Sequence, residues 1–406
     1  MRRLARGAGG FADQVLPVVQ NPFHRNDPGA LCLTLEKLAM KKSLIALAAL
    51  AAVGAASAQS SVTLYGVIDT NYGWSRLKQS VGPSTYKTDY VGLNPTGGNL
   101  SGSRWGLKGQ EDLGNGLSAV FNVEAGFNSG NGDFNSGFNR RAVVGLKGGF
   151  GQVLLGNDYT PMDFIGSSGG FQASDLVTGD GEVSWLDGFA GMPTVGTPLY
   201  TARAQGVHYS GNFNGVGVMA FAGHNDTKRD SMGRDTRERT TGYGVGVTYA
   251  SGPFAIGGAV QRFEGEVSGM GFGWPTPVAN SDVESLQYGI GASYDFGAAK
   301  LHGHWMANDY EDKTMPGDYN KPYNQLGVGV TVPMGAFTLG AQYAYNMWNE
   351  AWGTEDAKGH DVVLEGSYAL SKRTNLYARV GRYNSFKVDG FKSYQDVAAI
   401  GVRHRF

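Results

Sequence analysis

Charged side chains of opposite sign are concentrated in two parts of this sequence and could together act on ions. The segment 158–200 carries six acids, eight glycines and no lysine or arginine, and it has no clear hydrophobic period. Arg104 and Lys108 lie four residues apart in a stretch that alternates like a β-strand, so both fall on its polar face. An arginine stays charged at any relevant pH. Fixed cations facing acids across a narrow gap would create a transverse field that selects among ions.

The acidic segment is too long for an ordinary loop. A connection of this length without secondary structure inside a compact domain is usually functional. We therefore expect 158–200 to fold into the interior of the protein and to face the arginines of its wall. The acids that we select as lining the resulting constriction are Asp163, Asp175, Asp180 and Glu182.

The overall composition restricts the class of protein that could hold this arrangement. Glycine accounts for 64 of the 406 residues, and each interior glycine costs a helix about 1 kcal/mol. After residue 58, no apolar stretch is long enough for a transmembrane helix. The formal net charge of −1 gives no sign of a nucleic-acid surface. The chain is therefore expected to be a soluble β protein or a membrane β-barrel.

Alternating stretches favour the barrel. Residues 62–74, 101–110 and 117–127 each place apolar side chains on one face and polar ones on the other, as expected with lipid outside and water inside. Tight turns are predicted at 111–116, 148–151, 211–215, 251–253, 296–298, 332–335 and 370–373. Longer polar links are predicted at 75–98, 129–137, 158–200, 225–240, 264–282, 309–322, 348–358 and 386–393. Seven turns and eight links join sixteen strands. The connections are short at one end of such a barrel and long at the other, as in outer-membrane barrels.

The soluble alternatives fit less well. A propeller would show a repeat of about 40–50 residues, and none is found. A β-sandwich rarely needs this many strands or this asymmetry of its connections. In a membrane barrel the last strand, 394–406, must pair with the first, 61–74, because an open edge would leave amides unsatisfied in lipid.

The N-terminal part is predicted to be removed. Lys41-Lys42, the apolar run 43–53 and a small-residue site at 56–58 form a secretory signal, which places the mature start at Gln59. We expect 1–39 to be an upstream extension or the product of a mis-chosen start, 40–58 to be the signal peptide, and 59–406 to be the barrel.

Several short motifs, in order along the chain, carry a family resemblance. They are SVTLYGVID at 61–69, GSRWGLKG at 102–109, EDLG at 111–114, RRAVVGL at 140–146, YALSKRT at 368–374 and GVRHRF at 401–406. Each motif is short, but together they span nearly the whole mature chain. The sequence resembles the Gram-negative porins, the trimeric general porins of the outer membrane.

The resemblance implies a water-filled, 16-stranded antiparallel barrel that passes ions and small hydrophilic solutes by diffusion. It implies a homotrimer surrounded by outer-membrane lipids, including lipopolysaccharide. It also implies a third external loop bent into the lumen, and 158–200 occupies that place. The terminal Phe406 is similar to the signal that the outer-membrane assembly machinery reads.

The resemblance also extends to the arginines of the constriction. The family's arginines in the second strand and at the start of the fourth match Arg104 and Arg140. Many members have glutamine after the second of these, whereas here Arg141 follows, and alternation leaves open which of the two points inward. Arg203 lies near a further family arginine, and a register difference of one residue would decide its orientation.

Other functions are weaker alternatives. A substrate-specific channel, or a non-conducting barrel that acts as an adhesin or a structural protein, would share the same fold. An enzyme would need a nucleophile beside a base, and histidine is sparse. His302 and His304 share one face of a strand, but without a third ligand at fixed spacing they make a weak metal site. We expect no enzymatic activity, cofactor or metal.

Overall fold

The structure is a computed structural model, and the barrel it describes belongs to the unit Ser60–Phe406. The described residues are 60–95, 98–134, 137–168, 170–171, 173, 201–231, 234–269, 281–313, 319–320, 322–349 and 356–406. The predicted signal peptide, the segment before it and the predicted mature start therefore lie outside the described part of the chain.

Eighteen strands are found among the described residues. The first nine are β1 (Ser60–Val81), β2 (Ser84–Leu93), β3 (Arg104–Gly114), β4 (Leu117–Gly126), β5 (Arg141–Gly148), β6 (Gly151–Tyr159), β7 (Arg203–Phe213), β8 (Val216–Ser231) and β9 (Arg234–Ser251). The others are β10 (Phe254–Gly269), β11 (Ser281–Asp295), β12 (Lys300–Asp312), β13 (Tyr319–Asn320), β14 (Tyr323–Met334), β15 (Phe337–Trp348), β16 (Ala357–Ala369), β17 (Thr374–Val388) and β18 (Phe391–Arg405). One short helix, α1 (Pro161–Asp163), precedes a single π-helical turn, Phe164–Ser168. No helix in the described ranges is long and apolar enough to cross a membrane.

Sixteen of these strands form a closed antiparallel barrel, as predicted. Each wall strand pairs with the next, and β1 pairs with both β3 and β18, which closes the ring. The other two are short pieces within connections: β2 pairs with the upper half of β1, and β13 pairs with the end of β12. Closure gives every wall strand a partner on both sides, which a sheet in lipid requires.

The predicted alternation sets the two surfaces of the wall. On β1, Val62, Leu64 and Ile68 are exposed on the outside, whereas Asp69 and Asn71 are buried on the inside. Side chains along a strand point alternately to its two faces. The outer surface is therefore an apolar belt and the lumen is polar.

All seven predicted tight turns join consecutive strands at one end of the barrel. Two of them are Asn-Gly turns, Asn115-Gly116 and Asn214-Gly215, in which both residues have positive φ. This is the conformation that a two-residue turn needs in order to match the twist of its strands.

The opposite end differs from the prediction because much of its length is strand. The links predicted at 225–240 and 386–393 are mainly extensions of the wall strands joined by short connections, and the link at 75–98 is mainly a hairpin between the end of β1 and β2. The sequence did not reveal these strands because many of their side chains are polar. A pair of β-strands is held by backbone hydrogen bonds, which form whatever the polarity of the side chains. Cross-strand ion pairs such as Arg76–Asp89 and Arg237–Asp226 stabilise these extensions.

The predicted seam between the first and last strands is present. β1 and β18 pair from Val67↔Arg405 to Val81↔Phe391. Phe406 continues the ladder, because its amide donates to the carbonyl oxygen of Gly66 and its carbonyl oxygen accepts from the Gly66 amide, both at 3.1 Å. An added Cβ at Gly66 would lie 2.5 Å from the Phe406 ring and 2.7 Å from the backbone oxygen of Arg104, so a larger residue would displace the ring and crowd the neighbouring strand.

Candidate channel site

A buried carboxylate on β4 gathers two of the predicted arginines. Glu124 is 5% exposed, and its Oε1 accepts a hydrogen bond from Arg140 Nε at 2.7 Å. Arg104 Nε lies 3.7 Å from the other carboxylate oxygen, and the Tyr65 hydroxyl is 3.0 Å from it. Arg104 is the looser partner, with 27% of its side chain exposed against 11% for Arg140. Its guanidinium is therefore accessible from the lumen.

A tyrosine at the end of β6, Tyr159, contacts Arg140 and the two remaining arginines, Arg141 and Arg203. The Tyr159 hydroxyl accepts a hydrogen bond from Arg140 Nη2 at 2.9 Å, and the Arg203 guanidinium lies 4.7 Å from the ring centre. Arg141 donates to Asp158 at 2.7 Å and lies 5.9 Å from the same ring. Arg140 and Arg141 therefore both join the cluster. Alternation could not decide between them because Arg140 precedes the first residue of β5.

The start of β3 is held in place by Asp69. Its carboxylate accepts hydrogen bonds from the amides of Leu100 and Ser101 at 3.1 and 3.0 Å, and its carbonyl oxygen accepts from the Ser103 hydroxyl. This fixes the chain directly before Arg104. Lys108 projects from the same face of β3, with its ammonium 5.2 Å from the Tyr65 ring centre. The face predicted from alternation is correct for both cations.

The chain after β6 turns into the lumen and is bound to the far wall through glutamines. Gln261 on β10 accepts a hydrogen bond from the Met162 amide at 3.1 Å, and Gln287 on β11 accepts from the Thr201 amide at 2.7 Å. Farther round, Gln342 on β15 accepts from the Ala173 amide at 2.6 Å. All three glutamines are 3% exposed or less.

Apolar contacts reinforce this attachment. Met162, Ile165 and Phe171 are at most 2% exposed and belong to one buried cluster on the inner wall. Phe171 lies in a recess made by glycines, since a Cβ at Gly291 would fall 2.6 Å from its ring. We call the described residues 160–173 of this stretch the inward segment. It leaves the wall directly after Tyr159 of β6 and then lies along the inner wall from β10 to β15.

The predicted acids have different placements. Asp163 is 1% exposed and accepts a hydrogen bond from Ser167 at 2.9 Å, within the turn of the inward segment. Asp175, Asp180 and Glu182 lie outside the described residues. The predicted loop start at 158 is wrong, because Asp158 pairs with Ala204 within the β6–β7 ladder.

Two residues that organise the cluster were not selected from the sequence. Glu124 lies on the predicted polar face of its strand, which was the available signal, but nothing in the sequence indicates its partners. Tyr159 gave no signal, because it lies where the alternation ends.

The two histidines considered above as metal ligands, His302 and His304, form hydrogen-bond contacts within the protein instead. His302 Nδ1 lies 3.0 Å from the Gly170 carbonyl oxygen, and His304 Nε2 lies 3.1 Å from Gln325 Oε1. Among the described residues, no group of three potential ligands could hold a metal ion.

Comparison with known proteins agrees with this architecture. A family model described as Gram-negative porin matches residues 45–386. The chain belongs to the Gram-negative porin family. It is 32% identical over 416 residues to an outer membrane porin protein of Bordetella pertussis, covering 90% of this chain and 100% of that relative. It is 35% identical over 375 residues to outer membrane porin protein 32 of Delftia acidovorans, covering 90% and 93%.

A solved structure supports the fold. The anion-selective porin from Comamonas acidovorans matches with a TM-score of 0.61 and 24% identity, over 86% of this chain and 100% of that one. The chain is thus an outer-membrane porin, a channel formed by a multi-pass β-barrel. Family membership also excludes the enzyme and non-conducting alternatives, because porins are channels without catalytic activity.

Proposed function

We propose that this porin conducts ions and small hydrophilic solutes with a preference for anions, which is set by the arginine cluster. The cluster comprises Arg104, Lys108, Arg140, Arg141 and Arg203, with Glu124 and Asp158 as its carboxylates. The observation that carries the proposal is the charge balance. Five cations against two carboxylates leave an excess of three positive charges. Two remain even if the buried Asp163 is included. This excess is a property of the described wall residues, and Asp175, Asp180 and Glu182 are not part of the count.

The inward segment completes the proposed selectivity site. It narrows the lumen from the far wall, so that passing ions approach the arginines. Asp175, Asp180 and Glu182 follow it in sequence, and we propose that they supply the negative side of a transverse field. Such an arrangement of fixed charges biases permeation without a binding site of high affinity.

Replacing Arg104 with serine should reduce the anion preference and widen the opening. A unit positive charge attracts a chloride ion about 5 Å away in water by about 0.8 kcal/mol, which corresponds to about a fourfold change in local chloride concentration. Salt screens this interaction over about 10 Å at 0.1 M, so the shift should be largest in dilute KCl. Zero-current potential and single-channel conductance in planar bilayers measure both effects.

The matched control is Arg239→Ser, which removes an arginine paired with Glu266 on the outside of the barrel. It should leave both quantities unchanged. If Arg104→Ser also leaves both unchanged in dilute salt, Arg104 does not line the conducting path.

We further propose that Phe406 acts as an assembly signal. Its side chain is 39% exposed at the rim. Full burial of a phenylalanine stabilises a protein by about 1.5–3 kcal/mol, so this partly exposed ring contributes only part of that free energy. Deleting it should lower the amount of folded porin in the outer membrane several-fold, while the conductance of the remaining channels stays at the wild-type value. Quantitative blotting of membrane fractions tests this, and wild-type levels after deletion would refute it.

We propose that the porin is a homotrimer, as the family resemblance implies. One solved relative, OmpT of Vibrio cholerae, is described as a trimer form. Light scattering of the detergent-solubilised protein would give the number of copies, and a monomer mass would contradict this part of the proposal.

A further inference from the structure

The lumen wall has a recess between the attachment of the inward segment and the long-connection end of the barrel. It has a volume of about 370 Å³ and lies against the inner faces of β8 to β11. We call it the aromatic recess, and its main lining residues are Arg203, Phe221, Asn225, Thr240, Phe263 and Ser285.

Strand pairing places the aromatic recess on the path of entering solutes. Phe263 lies two residues after Gln261, which binds the inward segment, so both side chains point into the lumen. Phe263 is the nearer of the two to the long-connection end of β10. In outer-membrane barrels the long connections are external. A solute that enters from outside therefore meets the recess before the point at which Gln261 holds the inward segment.

Glycines create the space of the recess. Gly223 on β8 pairs with Gly242 on β9, and Gly242 pairs with Phe263 on β10, so all three positions face inward. A Cβ at Gly242 would fall 2.5 Å from the Phe263 ring and 3.1 Å from the Phe221 ring. The two rings therefore lie over bare backbone, and the wall is concave where side chains would otherwise project.

The rings belong to an aromatic stack. The Phe221 ring centre lies 5.4 Å from that of Phe263 and 5.7 Å from that of His208, with 27° and 21° between the ring planes. Phe221 is 4% exposed, whereas Phe263, at the end of the stack, is partly exposed. Offset aromatic rings attract one another at centre distances of about 4.5–7 Å. Phe263 thus offers a surface on which a further flat ring can stack.

Polar groups border the recess on its external side. Asn225 and Thr240 are paired across β8 and β9, and both are exposed. Ser285 on β11 is paired with Phe263. A concave apolar surface with a few polar groups is typical of sites for small molecules, in which the polar groups fix the orientation of the ligand.

Arg203 gives the recess its charge. It lines the side nearest β7, and its guanidinium lies 4.7 Å from the ring centre of Tyr159. Glu264 also borders the recess, but alternation places its side chain on the outside of the wall, where it pairs with Arg262 at 2.8 Å. Because arginine binds carboxylates through charge-assisted hydrogen bonds, the recess is suited to an anionic group at this side.

We propose that the aromatic recess binds a single-ring aromatic carboxylate, with its ring on Phe263 and its carboxylate directed towards Arg203. A saturated carboxylate would lose the stacking, and a neutral sugar would lose the attraction of the guanidinium. The recess would hold such solutes briefly before they pass the inward segment. The proposal goes beyond the anion preference, because it adds affinity for one class of anion.

Block of the ion current by benzoate tests the proposal on wild-type porin. Planar-bilayer currents are recorded in KCl at fixed ionic strength, and each probe is titrated to its half-blocking concentration. We expect this concentration to be at least threefold lower for benzoate than for cyclohexanecarboxylate, which has the charge without the aromatic ring. It should also be at least threefold lower than for benzyl alcohol, which has the ring without the charge. Acetate and glucose should not block in the same range.

Two variants test the assignment of the lining residues. Phe263→Leu keeps an apolar side chain but removes the stacking surface, so the half-blocking concentration of benzoate should rise at least threefold. Asn225→Asp is an isosteric change at an exposed position, and its negative charge should weaken the block by benzoate at least threefold but not that by benzyl alcohol. The matched control is Phe254→Leu, at the short-turn end of β10, which should be blocked like the wild type.

Equal block by benzoate and cyclohexanecarboxylate, or an unchanged half-blocking concentration in Phe263→Leu, would overturn the proposal. Block by glucose at the concentrations that are effective for benzoate would assign the recess to sugars and would also overturn it. The zero-current potential of the same wild-type channels, recorded before any probe is added, reports the anion preference separately. Failure of the recess and failure of the proposed anion preference are therefore distinguishable.

Discussion

Replacing Phe171 with alanine should make the channel close far more often than the wild type does. The ring is 2% exposed in its glycine recess, and truncating a buried phenylalanine costs about 3–5 kcal/mol. If this lost free energy weakens only the attachment of the inward segment, the fraction of channels with a detached segment rises at least 100-fold. A detached segment would move from the wall into the lumen. Single-channel recordings should therefore show frequent partial closures and greater current noise.

The control for this change is Phe150→Ala, which removes an exposed phenylalanine from the β5–β6 turn at the other end of the barrel. Its recordings should match those of the wild type. A steady Phe171→Ala current, with the wild-type closure frequency, would mean that Phe171 does not hold the segment in place.

Replacing Glu124 with glutamine should increase the anion preference. The change removes one of two carboxylates from the arginine cluster and leaves Arg104 and Arg140 without their shared acid. Breaking a buried ion pair costs about 3–5 kcal/mol in a dry interior. Here the less buried Arg104 faces a water-filled lumen, where chloride can take the place of the carboxylate. Zero-current potentials in a KCl gradient should shift towards the equilibrium potential of chloride.

A second glutamate provides the matched control. Glu266 pairs with Arg239 on the outside of the barrel, and Glu266→Gln makes the same chemical change away from the lumen. Its zero-current potential should equal that of the wild type. A Glu124→Gln shift towards cations would show that the cluster does not select anions.

The parts of the fold that depend on local pattern could be predicted from the sequence. Period-two alternation gave the strands, and Asn-Gly pairs gave turns. The same alternation predicted that Arg104 and Lys108 face the lumen, because both residues lie inside a regular strand. The same rule failed at Arg140 and Tyr159, which lie at strand ends where the backbone no longer alternates.

The interactions that make the site depend on distant parts of the chain. Glu124 meets Tyr65 because β1, β3 and β4 are neighbours in the closed ring, with a register that no single strand specifies. Gln342 binds Ala173 across 169 positions of sequence. A buried glutamine on a polar face has the same sequence signal as a solvated one. The attachment of the inward segment was therefore not predictable from the sequence.

The extended strands at the long-connection end illustrate a related limit. Their outward side chains are mostly polar, so the outer apolar face ends there although the backbone ladder continues. On the β17–β18 extension the apolar side chains Phe386, Val388 and Phe391 instead point inward and are buried.

The zero-current potential of three proteins in one dilute KCl gradient tests the central claim most directly. If the wall cluster sets an anion preference, the chloride-to-potassium permeability ratio should be highest for Glu124→Gln, intermediate and above one for the wild type, and lowest for Arg104→Ser. The differences should shrink as the salt concentration rises. A wild-type ratio below one, or the same ratio for all three proteins, would contradict the account.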